Sequence, residues 1–429
     1  MKTEHTTITR IAILAFLLAG GARAEWQLSG AYTTNNGGTA TDGNWDLKVT
    51  TVTIGDATGL TIAQCRAGEG DLDLTTFYDD TGWRVIKVDS NVLRYPDSGN
   101  YFPGVPDDQK GKLMSFTGPD VIWLGQVQCA DVTNVCVPQC TYLQTGISGA
   151  SLERVQISGA ITNIGQRAFQ GSPALRSIEP SEWPLLETVG DGLFSGCGSL
   201  EGEFLLGRVT ALKGGTFNGC GRITGVTAPL CTSIGQSDFY NCSNLEYAVF
   251  SPEISKIGDT AFYQCASLRT FAPAALPRLA TMGRQAFRKC KALETVFVFS
   301  CSDLTSLPGN AFAECNALRE VHFRSPIKSV DSGAFSVAPC AEFHFYSDET
   351  PTSLGMAPVV NTDPCRLRVI LHDGVDFDTW ATKYTPVANL KATDTNRADF
   401  PGKRTLGLTK GGQWVIDGRG NKATVILVQ

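Results

Sequence analysis

The sequence has little of what enzymes usually carry. It contains no Gly-x-Ser-x-Gly, no His-Glu-x-x-His and no phosphate-binding loop, and only four of its 429 residues are histidine. Cys-x-x-Cys, the spacing of redox-active thiols, is also absent. We therefore expect no catalytic residues and no cofactor, and we keep an enzyme only as the remote alternative.

A strong charge of either sign is missing too. Charged residues make up 18% of the chain, the net charge is −6 and the isoelectric point is near 5.4. Proteins that bind nucleic acid or anionic membranes usually carry a basic surface. These values argue against both kinds of partner.

No apolar segment is long enough to cross a membrane. The run Ile11–Leu18 follows the basic residues Lys2 and Arg10 and precedes Ala22-Arg23-Ala24. A membrane anchor is the alternative for this segment, but a spanning helix needs about 20 apolar residues. We therefore predict a signal peptide over residues 1–24. The rest of the chain is expected to be exported, to the periplasm, the cell surface or the medium.

The sequence is rich in repetition. The segment Ile257-Gly-Asp-Thr-Ala-Phe262 recurs in close or loose copies, and their phenylalanines are spaced 25, 23, 22, 23, 25, 25 and 23 residues apart. A period in this range is typical of a solenoid. The eight recurring aromatic residues are Phe169, Phe194, Phe217, Phe239, Phe262, Phe287, Phe312 and Phe335.

Two further positions repeat with the phenylalanine. In six copies a cysteine follows three residues later, and a leucine or isoleucine three residues after that. A short run such as Leu318-Arg-Glu-Val-His-Phe323 then predicts a strand with alternating faces. One coil of this length cannot bury its own apolar side, so neighbouring coils must stack. The six cysteines predicted for the core are Cys197, Cys220, Cys242, Cys265, Cys290 and Cys315.

We therefore predict a right-handed solenoid of short parallel β-strands. The i, i+3 spacing of Ala-Phe-x-x-Cys predicts a one-turn helix in each coil. The Ile-Gly pair is interpreted as a place where the chain turns. A β-rich N-terminal cap and a small C-terminal cap are expected to close the two ends.

The motif Ile-Gly-x-x-Ala-Phe-x-x-Cys-x-x-Leu around Phe262 resembles the BspA-like, surface-antigen type of bacterial leucine-rich repeat, over residues 150–347. Lys213 and Pro308 stand where that family has glycine, and Ser172 stands where it has cysteine. The resemblance implies a leucine-rich repeat solenoid that is displayed at a cell surface and binds other proteins or cells. It brings no catalytic residues with it.

Five segments are predicted along the chain. Regular repeats end near Phe335, while Asp376–Tyr384 has the pattern of a closing helix and strands are indicated around Leu406, Trp414 and Val425. The segments are the signal peptide (1–24), an N-terminal β-rich cap with degenerate repeats (25–150), the repeats (151–347), a C-terminal cap (348–389) and a hairpin or meander tail (390–429). The tail is either an attachment segment or more cap.

The 14 cysteines need not form disulfides, although an exported chain permits them. The six repeat cysteines are expected to be reduced core thiols, with isolated bonds between coils as the alternative, because rungs ~4.8 Å apart allow them. Cys129, Cys136 and Cys140 lie close together in sequence, and one disulfide among them is possible. Zinc is disfavoured there because no histidine is near, and no metal site is predicted.

One outward stripe of the strands is the candidate binding face. Aligning the strands places Tyr247 and Phe297 outward, where aromatic side chains often anchor partners, unless a loop covers them. The same alignment puts two histidines in adjacent rungs, each two residues after a glutamate. That patch is either a solvated polar ladder, which we favour, or a metal or pH-sensitive contact. The polar candidates are Glu320, His322, Glu342 and His344.

The sequence thus leaves two main functions open. The first is a secreted or cell-surface interaction protein whose partner is an unknown protein or glycan. The second is a structural surface or matrix element without a specific ligand. A self-associating purified chain would favour the second.

Overall fold

The computed structural model of the chain describes residues 25–30, 38–42, 46–67, 70–90, 93–94, 113–295, 297–300, 303–331, 333–335, 342–347, 349, 353–354, 366–371, 414–417 and 424–425. The predicted signal peptide, the closing helix over Asp376–Tyr384 and the strand around Leu406 lie outside these ranges. Within them, no helix has the length and apolarity of a membrane span.

The described chain is a β-solenoid of about 11 turns with parallel strands and almost no helix. The predicted parallel solenoid is therefore confirmed, but the predicted one-turn helices are wrong. The Ala-Phe-x-x-Cys segments are hydrogen-bonded turns. The reason is the direction of the backbone bonds. From Phe169 to Phe312, each core phenylalanine N–H donates to a carbonyl of the next coil, as Phe239 N does to Ala261 O at 2.7 Å. The i→i+4 bonds of a helix are not made there.

One side of the solenoid, called the strand face here, consists of three parallel sheets in succession. The first sheet contains β5 (Gly70–Asp73), β8 (Leu113–Thr117), β10 (Asn134–Cys136), β12 (Arg154–Gln156) and β14 (Ser177–Glu179). The second contains β15 (Glu182–Trp183), β17 (Glu201–Leu206), β18 (Arg222–Ala228), β20 (Tyr247–Phe250) and β22 (Thr270–Ala272). The third contains β23 (Ala275–Leu276), β25 (Phe297–Phe299), β27 (Glu320–Phe323), β29 (Glu342–Phe345) and β31 (Arg366–Leu371).

A second ladder, of shorter strands, passes through the Ile-Gly pairs. It begins with β6 (Val85–Val88), β9 (Trp123–Gln128) with its neighbour β7 (Leu93–Arg94), β11 (Tyr142–Ser148), β13 (Asn163–Ile164) and β16 (Thr188–Val189). A bridge from Ala211 to Ser233 leads into β19 (Ser233–Ile234), β21 (Lys256–Ile257) and β24 (Thr281–Met282). The last strands are β26 (Ser306–Leu307), β28 (Ser329–Val330) and β30 (Ser353–Leu354).

Antiparallel strands flank both ends of the parallel ladders. At the N-terminal end, β1 (Gln27–Gly30), β2 (Gly38–Thr41), β3 (Asp46–Ile54) and β4 (Ala57–Ala67) form a meander, and β4 pairs with β6 in parallel. The single described helix, α1 (Phe77–Thr81), lies between β5 and β6. At the other end, β32 (Trp414–Asp417) and β33 (Thr424–Val425) continue the third sheet beyond β31 in antiparallel order.

The eight repeat phenylalanines form one continuous stack through the core. All are at most 6% exposed, and successive ring centroids are 4.9–5.5 Å apart. Each buried side chain of this size contributes about 1.5–3 kcal/mol relative to exposure. Because every ring contacts the next coil, this burial is shared between coils.

The glycine of the Ile-Gly pair is required by contact between coils rather than by a turn. Its φ is not positive at Gly235, Gly258 or Gly283. A Cβ on Gly258 would lie 2.5 Å from the carbonyl carbon of Gly235, and one on Gly283 would lie 2.2 Å from the nitrogen of Asp259. The interpretation of this residue as a turn residue is therefore wrong.

Positive φ occurs instead two residues before and two residues after each core phenylalanine from Phe169 to Phe312. Around Phe262 these residues are Thr260 and Gln264, with φ of 51° and 64°. Three other coils have glycine at the second position: Gly171, Gly196 and Gly219. Left-handed backbone is unfavourable for any residue with a Cβ.

Replacement of Gln264 by glycine is expected to stabilise the protein. Gln264 is exposed, so little packing is lost, and relief of its φ of 64° should raise the free energy of unfolding by about 0.5–1 kcal/mol. Urea denaturation would measure the change. Ser267→Gly is the matched control on the same coil, where φ is not positive, and it should lower stability. Destabilisation by Gln264→Gly would contradict the strain argument.

The irregular coil at Lys213 is compensated by Asp238 in the next coil. In regular coils the N–H of the Ile-Gly glycine donates to the carbonyl of the isoleucine in the preceding coil, as from Gly258 to Ile234 at 2.9 Å. At Gly235 it donates instead to Asp238 Oδ2, at 2.5 Å. Asp238 Oδ1 accepts from the Thr216 backbone at 3.0 Å and from its hydroxyl at 2.7 Å. Burial raises the pKa of this carboxyl, although the hydrogen bonds from Thr216 and Gly235 lower it.

Candidate functional site on the strand face

The outward positions of the strand face change character along the array. In the first sheet they are polar: Asp73, Thr117, Cys136, Gln156 and Glu179. The second sheet begins with the exposed Glu182, which pairs with Leu205, and the outward positions after it are uncharged. Val298 lies in the third sheet, where it pairs with Ala275. This uncharged set is called the outward row: Leu205, Thr227, Val249, Ala272 and Val298. All five members of the outward row are partly exposed. The row continues in register to His322 and His344.

Tyr247 lies beside the outward row and is held in place. It pairs in register with Gly225, which pairs with Glu203. A Cβ on Gly225 would fall 2.1 Å from the Tyr247 Cζ, so the tyrosine ring lies directly over that glycine. The Tyr247 hydroxyl bonds the Glu203 carboxylate, and burial together with Glu203 raises the pKa of Tyr247 to about 12. The ring is thus a rigid, partly exposed aromatic.

Phe297 does not lie on the exposed face, which corrects the prediction for this residue. It is 0% exposed and pairs with Val321, while Val298 takes the outward position opposite His322. The cause is one extra residue in this coil, which inverts the faces of a strand. The Thr295 hydroxyl accepts the Phe271 backbone N–H at 2.8 Å. In a regular ladder this N–H would donate to a backbone carbonyl of the next strand.

The two histidines occupy adjacent rungs at the C-terminal end of the row. Their rings stack with centroids 4.1 Å apart and an interplanar angle of 7°. His322 Nε2 lies 3.0 Å from Glu320 Oε2, and His322 Nδ1 lies 2.9 Å from the Tyr346 hydroxyl. The backbone register places Glu342 opposite Glu320. Its side chain lies outside the described set.

Three of these residues could share a metal ion. One donor atom each from Glu320, His322 and His344 lies within 4.8 Å of the other two. His344 is 8% exposed, whereas the Glu320 side chain is 42% exposed. The cluster is therefore open to solvent on the glutamate side and enclosed on the side of His344.

The six repeat cysteines are buried thiols and not members of disulfides. Each Sγ donates to the carbonyl of the phenylalanine one coil earlier, at 2.9–3.1 Å, as Cys265 does to Phe239. Burial raises the pKa of Cys197 to about 12, and it raises the pKa of Cys220 well above its usual value. Protonated, enclosed thiols are poor nucleophiles. Ser172, in the cysteine position, accepts the Gly149 N–H at 3.2 Å instead.

The disulfide considered for Cys129, Cys136 and Cys140 is not formed. All three are thiols, and they bond to different groups. Cys129 Sγ donates to Leu93 O at 3.3 Å, Cys136 Sγ to Gln156 Oε1 at 3.1 Å and Cys140 Sγ to Tyr142 O at 3.4 Å. Closeness in sequence does not bring them together, because the strand and the turn between them carry them to different sides of one coil.

Another aromatic pair was not singled out from the sequence. The rings of Tyr240 and Tyr263 stack at 5.0 Å, and the Arg288 guanidinium lies 5.8 Å from the centre of the Tyr263 ring. Arg288 also pairs with Glu314 at 3.1 Å. Both tyrosines directly follow a core phenylalanine, so their common position in the repeat could have revealed them.

Comparison with known proteins supports the repeat assignment. The family model "BspA type Leucine rich repeat region" matches in six copies over residues 144–269 and 232–352. A search of curated proteins found no match.

Solved structures with some similarity include bacterial leucine-rich proteins and a pneumococcal antigen. A leucine-rich cell surface protein from Faecalibacterium prausnitzii A2-165 is 17% identical, with 80% of this chain and 96% of that chain covered and a TM-score of 0.36. The pneumococcal vaccine antigen PcpA is 12% identical, with 81% and 96% covered and a TM-score of 0.36. A leucine-rich repeat protein from Bacteroides ovatus ATCC 8483 is 18% identical, with 69% and 92% covered and a TM-score of 0.29. The array over residues 144–352 is a BspA-type leucine-rich repeat region.

Proposed function

We propose that the exported protein is a non-catalytic, cell-surface interaction protein that binds a protein partner along the outward row. The observation that carries the proposal is the row itself. From Leu205 to Val298, five successive coils present uncharged, partly exposed side chains, four of them on the second sheet and one on the third. Outward positions of a solvated sheet are normally polar, as they are in the first sheet here. Contiguous exposed apolar surface commonly marks interaction sites.

The shape of the row suits an extended partner. With ~4.8 Å between rungs, five coils span roughly 20 Å along the solenoid. Tyr247 beside the row adds a preordered aromatic, and ordering it on binding costs little side-chain entropy because Glu203 already holds its hydroxyl. Export by the predicted signal peptide and display at a surface are part of this proposal, as the family resemblance implies.

Introduction of charge into the row should abolish partner capture. In the double variant Val249→Lys, Val298→Lys, two ammonium groups would have to be desolvated in the interface, and we expect at least tenfold weaker binding. The control is Thr117→Lys, Gln156→Lys, at corresponding outward positions of the polar sheet. Both variants should unfold at the same temperature as wild type. Proteins extracted from cell surfaces of the native environment serve as the source of partners.

Site-specific crosslinking makes this test direct. A photoreactive residue at position 249 should crosslink a discrete partner that one at position 156 does not. Equal capture by wild type, the row variant and the control would overturn the proposal. Self-association of the purified protein that the row variant abolishes would instead favour the structural alternative, which light scattering would detect.

A further inference from the structure

We infer that Glu320, His322 and His344 form a binding site for one Zn²⁺-type transition-metal ion, with Tyr346 as the residue that orients His322. This site goes beyond partner binding, and it replaces the expectation of a solvated polar ladder. It rests on the packing of adjacent coils at the C-terminal end of the strand face.

The parallel register brings the donors together. His322 and His344 pair directly across β27 and β29, so their side chains leave the sheet side by side. Glu320 precedes His322 by two residues on the same strand, which places both on one face. The result is a carboxylate oxygen 3.0 Å from an imidazole nitrogen, with a second imidazole stacked 4.1 Å away.

Tyr346 sets the orientation of the His322 ring. Metal-binding histidines almost always engage their second ring nitrogen with a fixed partner, which settles the tautomer. Here Nδ1 of His322 bonds the Tyr346 hydroxyl at 2.9 Å, so Nε2 is the nitrogen directed at Glu320. The Tyr346 ring is itself covered by the Arg324 guanidinium, 4.9 Å from the ring centre. The ring is thus packed in place, and with it the hydrogen bond to His322.

The donor set selects the class of ion. Two imidazoles and one carboxylate, with a fourth position open to water, are a known zinc ligand set, whereas Mg²⁺ and Ca²⁺ prefer oxygen donors alone. Bonds of 2.0–2.2 Å to zinc require donor separations of roughly 3.4 Å. The three donors already lie within 4.8 Å of one another. Rotation of the two imidazole rings out of their parallel stack would turn a nitrogen lone pair of each toward one ion.

Zinc alone is the probe. We expect the metal-stripped, full-length exported protein to bind one equivalent of Zn²⁺ in calorimetry, and Mg²⁺ not at all. Glu320→Gln keeps the shape of the side chain but replaces the anionic carboxylate by a neutral amide. His344→Phe replaces the imidazole by a ring without a donor atom, and each change should weaken binding at least tenfold. Tyr346→Phe should weaken it about tenfold by releasing His322. Glu294→Gln, an exposed carboxylate on the preceding coil, is the matched control and should bind as wild type does.

Co²⁺ binding identifies the ligands independently. A nitrogen and oxygen site gives visible absorption without thiolate charge transfer, whereas an ion on a cysteine adds that band. The thiolate band, an absence of saturable binding at micromolar Zn²⁺, or equal binding by wild type, Glu320→Gln and His344→Phe would each overturn the site. Melting curves of the metal-free variants show whether any loss reflects misfolding, and Glu320→Gln, at a 42% exposed side chain, is the variant least affected by that risk.

Discussion

Gly258→Ala is expected to destabilise the array by about 3 kcal/mol or more. The new Cβ would lie 2.5–2.6 Å from three backbone atoms of the preceding coil, in Gly235 and Gln236. Backbone cannot rotate away as a side chain can, so the two coils must separate. Separation would also stretch the bond from Phe239 N to Ala261 O and the ring stack of Phe239 on Phe262.

Urea denaturation followed by circular dichroism would measure this loss, with Gly198→Ala as the matched control. A Cβ on Gly198 has its nearest neighbour at 3.9 Å, an ordinary contact, and its φ is not positive. Gly198→Ala should therefore leave stability unchanged within about 0.5 kcal/mol. If both variants unfolded at the same urea concentration as wild type, close approach of coils would not be the reason for this glycine.

Asp238→Ala is expected to lower the free energy of unfolding by about 2–3 kcal/mol. This holds although alanine is the residue that most repeats have at this position. The substitution would remove the carboxylate that accepts the backbone N–H groups of Thr216 and Gly235. Asp238 and Thr216 are both 0% exposed, so bulk water cannot replace this acceptor. Each buried, unsatisfied donor costs about 1–3 kcal/mol, and relaxation or an entering water would recover part of this. A substitution toward the family pattern should thus destabilise the protein.

Asp238 and Thr216 belong to one hydrogen-bond network, and a comparison of Asp238→Ala, Thr216→Ala and the double variant tests this. Thr216→Ala alone removes one donor to the carboxylate and should cost less than Asp238→Ala. The two losses should not add, because both act on one hydrogen-bond network. Thermal unfolding gives both values. Additive losses, or an Asp238→Ala protein as stable as wild type, would contradict the network.

The repeat period was predictable because every coil meets the same packing requirement. Phe262 contacts Phe239 and Phe287 through rings 4.9 and 5.0 Å away, so each coil needs an aromatic residue at the same place. The sequence therefore has a phenylalanine every 22–25 residues. The parallel solenoid and its family followed from it.

The faces of individual strands were less predictable. Phe297 was expected to be exposed because its strand was aligned by the preceding leucine, and one extra residue near Thr295 inverted the alignment. Strand side chains alternate with a period of two, so a single insertion exchanges the buried and exposed sets. The residues around an insertion do not indicate whether the extra residue lengthens the loop before the strand or lies within the strand itself.

The sequence by itself determined the period, the core residues of a regular coil and the position at which each thiol recurs. Only the tertiary structure decided which residues meet across coils. The closeness of Gly258 to Gly235, the bonds of Asp238 to Thr216 and the position of Tyr346 beside His322 all join residues 22 to 24 positions apart. Such contacts depend on the exact offset between neighbouring rungs. That offset is set by the packing of whole coils and not by any short segment of the chain.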